Sequence, residues 1–123
     1  MIQAVRHPGA AAVLSQATVR AAEQLDLQQR QLARVLGVSG ATVSRLTCGT
    51  WQLTEGSKTW ELAVAFVRLY RSLAAITGGA REAMRAWLHS HNDALGAAPA
   101  ERIVSAEGLF DVLRYLDAAR GRI

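Results

Sequence analysis

Residues 29–49 read QRQLARVLGVSGATVSRLTCG, and the fold turns on this stretch. Leu32, Ala33 and Leu36 recur on one side of a first helical run, and Val43 and Leu46 on one side of a second. Val38 fills the corner between them, and Ala33 is small where two helix backbones cross. Gly37 can take a positive φ at a helix C-terminus without a Cβ penalty. Ser39 is a good N-cap for the run that follows. The spacing predicts a helix-turn-helix, whose second helix is of the kind that lies in a DNA major groove.

Outward from this unit the pattern stays helical. Leu14, Ala17, Ala21 and Leu25 recur at helical spacing over 10–25, a helix expected to pack beneath the helix-turn-helix. Asp26 is expected to start the next element, with Leu27 as a hydrophobic staple, and helices follow over about 28–36 and 40–48. Ser57 caps a long helix to about residue 77, with Glu61 near its first turn. That helix has two apolar rows: Trp60, Ala63, Val67, Tyr70 and Ala74, then Leu62, Phe66, Leu69, Leu73 and Ile76. A helix apolar on two sides is buried on two sides, so it needs a second layer from the C-terminal region or another subunit. Residues 80–90 form a helix with Ala83, Met84, Trp87 and Leu88 inward, and Pro99 opens a short one to about 104. Gly108 precedes a last helix over 109–120, with Leu109, Val112, Leu113 and Leu116 on one face. The expectation is an all-α chain, with a helix-turn-helix DNA-binding and dimerisation region over residues 1–78 and a small helical module over 79–123.

Composition narrows the function classes. Half of the 123 residues are apolar, enough for a core without disulfides or metal. The single cysteine, Cys48, cannot form an internal bridge, which fits a reducing compartment. No apolar run approaches the roughly 20 residues that span a bilayer, and the N-terminus lacks a signal-peptide layout. A cytoplasmic protein without a membrane role is expected. Net charge is +4, unevenly placed: ten Lys/Arg against five Asp/Glu in 1–90, four against five in 91–123. The positive excess lies with the helix-turn-helix, as a footprint on DNA requires.

Within the second helix of the motif, Gly40, Ala41, Ser44 and Arg45 lie away from Val43 and Leu46. Arg45 can donate its fork to guanine O6 and N7, Ser44 can meet a base edge or a phosphate, and Ala41 offers a methyl for thymine. Gln29 stands where helix N-termini meet phosphate. Arg30, Thr50 and Lys58 are further phosphate candidates. So few base-reading groups imply an affinity that comes largely from the DNA backbone and depends strongly on salt.

Enzymatic signatures are missing. His89 and His91 point to different faces of a helix end, and only Asp93 stands near them, short of the three or four convergent ligands of a zinc site. No nucleophile elbow, paired carboxylates or Gly-rich phosphate loop is present, since Gly78-Gly79 follows a helix and not a strand. The expectation is a non-enzyme with no cofactor and no metal. Trp60 reads as core. Trp87 and Tyr115 read as either core or interface anchors.

The C-terminal third, AWLHSHNDALGAAPAERIVSAEGLFDVLRYLDAARG over residues 86–121, has a recognisable order of elements. Trp-Leu is followed by Asn-x-x-Leu-Gly, then Pro, then Gly-x-x-x-Val-x-x-x-Leu and a final Gly. This closely resembles the toxin-binding region of the MbcA/ParS/Xre antitoxin family, and the Xre-like helix-turn-helix before it matches that family's layout. Ala97 departs from the family, which often repeats glycine there. The resemblance implies the antitoxin of a type II toxin–antitoxin pair. It would bind and mask a RES-domain, NAD-consuming toxin, and repress its own operon by binding operator DNA. Carried over by motif, Trp87, Leu88, Asn92, Leu95, Gly96 and Pro99 match the toxin-binding signature. The tail from Arg120 through Arg122 and Ile123 would enter the toxin cleft.

The residues alone, without the family, predict a dimeric helical DNA-binding regulator, the dimer presenting two recognition helices to a pseudo-palindromic site. Within a toxin–antitoxin pair, such a homodimer would sit in a larger complex. A ligand-responsive helix-turn-helix repressor with no toxin partner is the rival, with Asn92, His89 and Tyr115 as cavity candidates. An adaptor that keeps only a protein interface is the third class.

Overall fold

Periodicity and end-capping lay out seven helices along residues 9–121, the part of the chain that the computed structural model describes. They are α1 Ala10–Gln24, α2 Gln29–Leu36, α3 Gly40–Cys48, α4 Lys58–Thr77, α5 Arg81–His89, α6 Pro99–Arg102 and α7 Ala106–Gly121. The described chain is all-α; its one β-type feature is an isolated bridge between Asn92 and Ala97.

The caps stand where turn chemistry puts them. Gly37 takes φ 68° after α2, and Val38 N–H reaches back to Ala33 O at 3.0 Å. Ser39 Oγ accepts Thr42 N–H at 3.1 Å to open α3, and Ser57 Oγ accepts Trp60 N–H at 3.1 Å to open α4.

α4 is the axis of the core. Ala63, Phe66, Leu69 and Leu73 are wholly buried, and the helix packs against α1, α2, α5 and α7. Val67 and Tyr70 share a groove with Ala17 and Ala21 of α1. On another side Asp117 of α7 accepts from Ser72 Oγ at 2.9 Å and Arg68 Nη2 at 3.1 Å. The second layer that the two-sided helix demanded is therefore α7 of the same chain. The buried stripe of α4 is mostly apolar because it is enclosed, while Lys58, Glu61, Arg68 and Arg71 lie on its exposed side; no single described helix is long and apolar enough to cross a membrane.

Several expectations need correction. Asp26 does not start α2. It takes φ 57° in the turn after α1, and Gln28 caps α2 through a reciprocal box with Gln31. Ala83 is exposed, as is Ile76, because the faces of α5 and α4 that they occupy have no layer above them. Gly108 lies inside α7, which begins at Ala106. Ser105 caps it, its Oγ accepting Gly108 N–H at 3.1 Å.

Candidate functional site

Two surfaces carry the residues singled out by the sequence. On α3, burial of Val43 and Leu46 turns Ala41, Ser44 and Arg45 outward, and all three are exposed. Gln29, Arg30, Thr50 and Lys58 are exposed too. Gln29 shares a small cleft with Thr47 of α3, and Arg30 shares a hollow with Val38 and Gly40, so α2 flanks the exposed helix at both places. Neither α2 nor α3 has an acid in its first turn, which leaves their positive ends uncompensated.

Two members of the set are otherwise engaged. Thr50 donates its hydroxyl to Arg45 O at 3.3 Å, and its N–H reaches the same oxygen at 2.9 Å. Its hydroxyl thus helps close the end of α3. Lys58 meets Glu61 at 3.3 Å, but both groups are largely solvated, so the pair holds the ammonium weakly. Two residues went unnoticed in the sequence. Arg34, four after Arg30, lines the same hollow. Thr42 accepts from Arg45 Nη2 at 3.2 Å. Their spacings of four and three were legible signals.

The second surface lies on α5, the loop after it, and α7. Trp87 is half-buried and stacks on Tyr115, with ring centroids 6.1 Å apart and planes at 24°. The Asn-x-x-Leu-Gly element closes on itself. Asn92 Oδ1 accepts Leu95 N–H at 3.3 Å, Asn92 O accepts Gly96 N–H at 2.9 Å, and Asn92 N–H donates to Ala97 O at 3.1 Å. Gly96 takes φ 73°, a conformation that glycine adopts without strain. Asn92 and Gly96 thus shape the loop. Leu95 is half-buried against the core. Leu88 is wholly buried and Pro99 is buried at the start of α6, so neither presents a contact surface; both support the loop from within. Arg120 is exposed near the end of α7, while Arg122 and Ile123 lie outside the described residues.

α5 also ties this surface to the end of α1. Arg81, Arg85 and His89 stand four apart on one stripe and meet the end of α1. Arg81 Nε donates to Gln24 Oε1 at 3.1 Å, Arg85 donates to Gln24 O and Glu23 O at 3.1 and 3.0 Å, and His89 Nε2 lies 2.9 Å from Leu25 O. His89 is thus a capping group for α1 carbonyls, and His91 pairs with Asp93 at 3.1 Å. Cys48 ends α3, exposed.

Comparisons with known proteins match both halves of the chain. Residues 5–68 match the antitoxin Xre-like helix-turn-helix domain, and residues 72–122 match the antitoxin Xre/MbcA/ParS C-terminal toxin-binding domain. No curated protein matches the chain. Among solved structures it is similar to a chain in the crystal structure of the M. tuberculosis MbcT–MbcA toxin–antitoxin complex, with 25% identity and a TM-score of 0.65, over 90% of this chain and 97% of that one. The exposed α3 lies within the first matched range, and the Asn92–Gly96 loop and the Trp87–Tyr115 pair lie within the second. The chain belongs to the Xre-like helix-turn-helix antitoxins: it is the antitoxin of a toxin–antitoxin system, with a C-terminal domain that binds a toxin.

Proposed function

We propose that this antitoxin binds and masks a RES-domain, NAD-consuming toxin through the surface around Trp87, Leu95 and the end of α7, and represses its own operon through α3. The division of labour falls near Gly78: residues 1–78 handle DNA and pairing of two copies, and residues 79–123 handle the toxin. Arg45, Ser44 and Ala41 face base edges, while Gln29, Arg30 and Lys58 meet phosphates. A homodimer inside a larger toxin–antitoxin complex presents two copies of α3 to a pseudo-palindromic operator. The reading puts the complex in the cytoplasm, with operator DNA and NAD. It does no chemistry of its own and takes no cofactor.

The observation that carries the reading is that both surfaces stay open after the chain has covered α4. Ala41, Ser44 and Arg45 are exposed on α3, and Tyr115 keeps 38% of its surface beside Trp87. Co-expression with the product of the adjacent open reading frame tests the toxin half. Restored growth, co-purification, and an NAD level that falls only when this chain is absent are expected. Gel shifts on the DNA upstream of the gene test the other half. Growth arrest that persists while DNA binding is intact would replace this reading with a ligand-responsive repressor, and rescue without any gel shift would replace it with an adaptor.

A further inference from the structure

The guanidinium of Arg45 does not project freely from α3. Its Nη2 donates to Thr42 Oγ1 at 3.2 Å, and Thr42 Oγ1 stands 3.0 Å from Ser39 Oγ. Ser39 Oγ also accepts Thr42 N–H at 3.1 Å. Arginine only donates, so Thr42 Oγ1 accepts from Arg45, while either hydroxyl can supply the proton shared between Thr42 and Ser39. Ser39 is itself fixed as the N-cap of α3. Spacing of three places all three residues along one edge of the helix. The relay therefore runs from a rigid backbone element to the tip of a long, exposed side chain.

We infer that Thr42 is a positioning residue for Arg45: its hydroxyl, braced on Ser39, holds the guanidinium along α3 before DNA arrives. This rests on the reading of α3 as the DNA-contacting helix. A free arginine surrenders its rotamer freedom on docking, and one held beforehand loses less, so the gain appears as affinity for the matched base. One Nη2 proton is engaged by Thr42, and the remaining donors stay available for the O6 and N7 of a guanine. Thr42 touches the base only through Arg45.

Thr42→Val keeps the branched shape and removes the hydroxyl; Thr42→Ser keeps the hydroxyl. The full chain and these variants are measured on a duplex that the wild type enriches from a randomised double-stranded library, and on its single-base-pair variants. Arg45→Ala identifies the base pair that Arg45 reads. At that pair alone, Thr42→Val is expected to lower discrimination by about 2- to 10-fold, the range of one hydrogen bond, and Thr42→Ser to restore it. Salt slope and thermal midpoint are expected to stay at wild-type values. Wild-type discrimination in Thr42→Val, an equal loss on every duplex, failure of Thr42→Ser to restore it, or an Arg45→Ala effect at no single pair would overturn the positioning role while leaving DNA binding in place. A wild type that enriches no duplex removes both.

Discussion

Gly108 lies directly against the backbone carbonyl of Arg102: a β-carbon at position 108 would stand 1.8 Å from that oxygen. α7 can begin where it does only because this residue has no side chain. An exposed glycine inside a helix gains about 1 kcal/mol on replacement by alanine. Here the sign reverses, because the obstacle is backbone and cannot rotate away. Gly108→Ala is expected to lose about 3 kcal/mol of unfolding free energy, within the upper part of the overpacking range. Urea denaturation measures it, and a stabilised variant would contradict the packing.

The Trp87–Tyr115 stack joins α5 to α7 with one side open. Tyr115→Phe keeps the ring and is expected to leave folding and toxin co-purification near wild type. Trp87→Ala removes the anchor and should weaken both. A double-mutant cycle between Trp87→Ala and Tyr115→Ala, read by denaturation, is expected to give a coupling of about 0.5–1.5 kcal/mol.

Arg85 donates to Gln24 O and Glu23 O at the end of α1, where Glu23 O also accepts Asp26 N–H at 3.2 Å. Arg85→Met keeps the aliphatic stem and deletes both bonds. An expected loss of about 1–2 kcal/mol follows from charged-donor bonds discounted for partial exposure. Arg81→Met, whose single bond is exposed, should fall within about 0.5 kcal/mol of wild type. Equal effects from the two would show that the clasp is not centred on Arg85.

Ser15 and Leu53 are buried, and Leu53 N–H donates to Ser15 Oγ at 3.0 Å across 38 residues. Ser15→Ala strands a buried donor and is expected to cost about 1–3 kcal/mol. Thermal unfolding reads it, and a neutral result would mean that water reaches Leu53 N–H.

Arg45 and Lys58 separate base reading from phosphate contact. Arg45→Ala is expected to lose about 1–3 kcal/mol of discrimination at one base pair. Lys58→Ala is expected to weaken all sequences alike and to lower the salt slope by about 1. Fluorescence anisotropy titrations across salt concentrations check both.

Residues close in the chain already determined much of this protein. The glycine turn at Gly37, the caps Ser39 and Ser57, the inward Val43 and Leu46, and the two rows of α4 follow from local dihedral preference and helical period. The sense of the outward face of α3 follows with them. The loop at Asn92–Gly96 was legible as a motif, because its hydrogen bonds close within five residues. Tertiary structure alone decided the rest. It covered the second side of α4 with α7, sank Pro99 below the surface, and turned Arg85 and His89 into caps for α1. It also drew the start of α7 back to Ala106 and buried Ser15 under Leu53. Most of those contacts join residues 38 to 64 positions apart, and no periodicity encodes them. Local sequence specifies which face of a helix is apolar; only the folded chain specifies what covers it, because that depends on which distant surface arrives with complementary shape and unsatisfied polar groups.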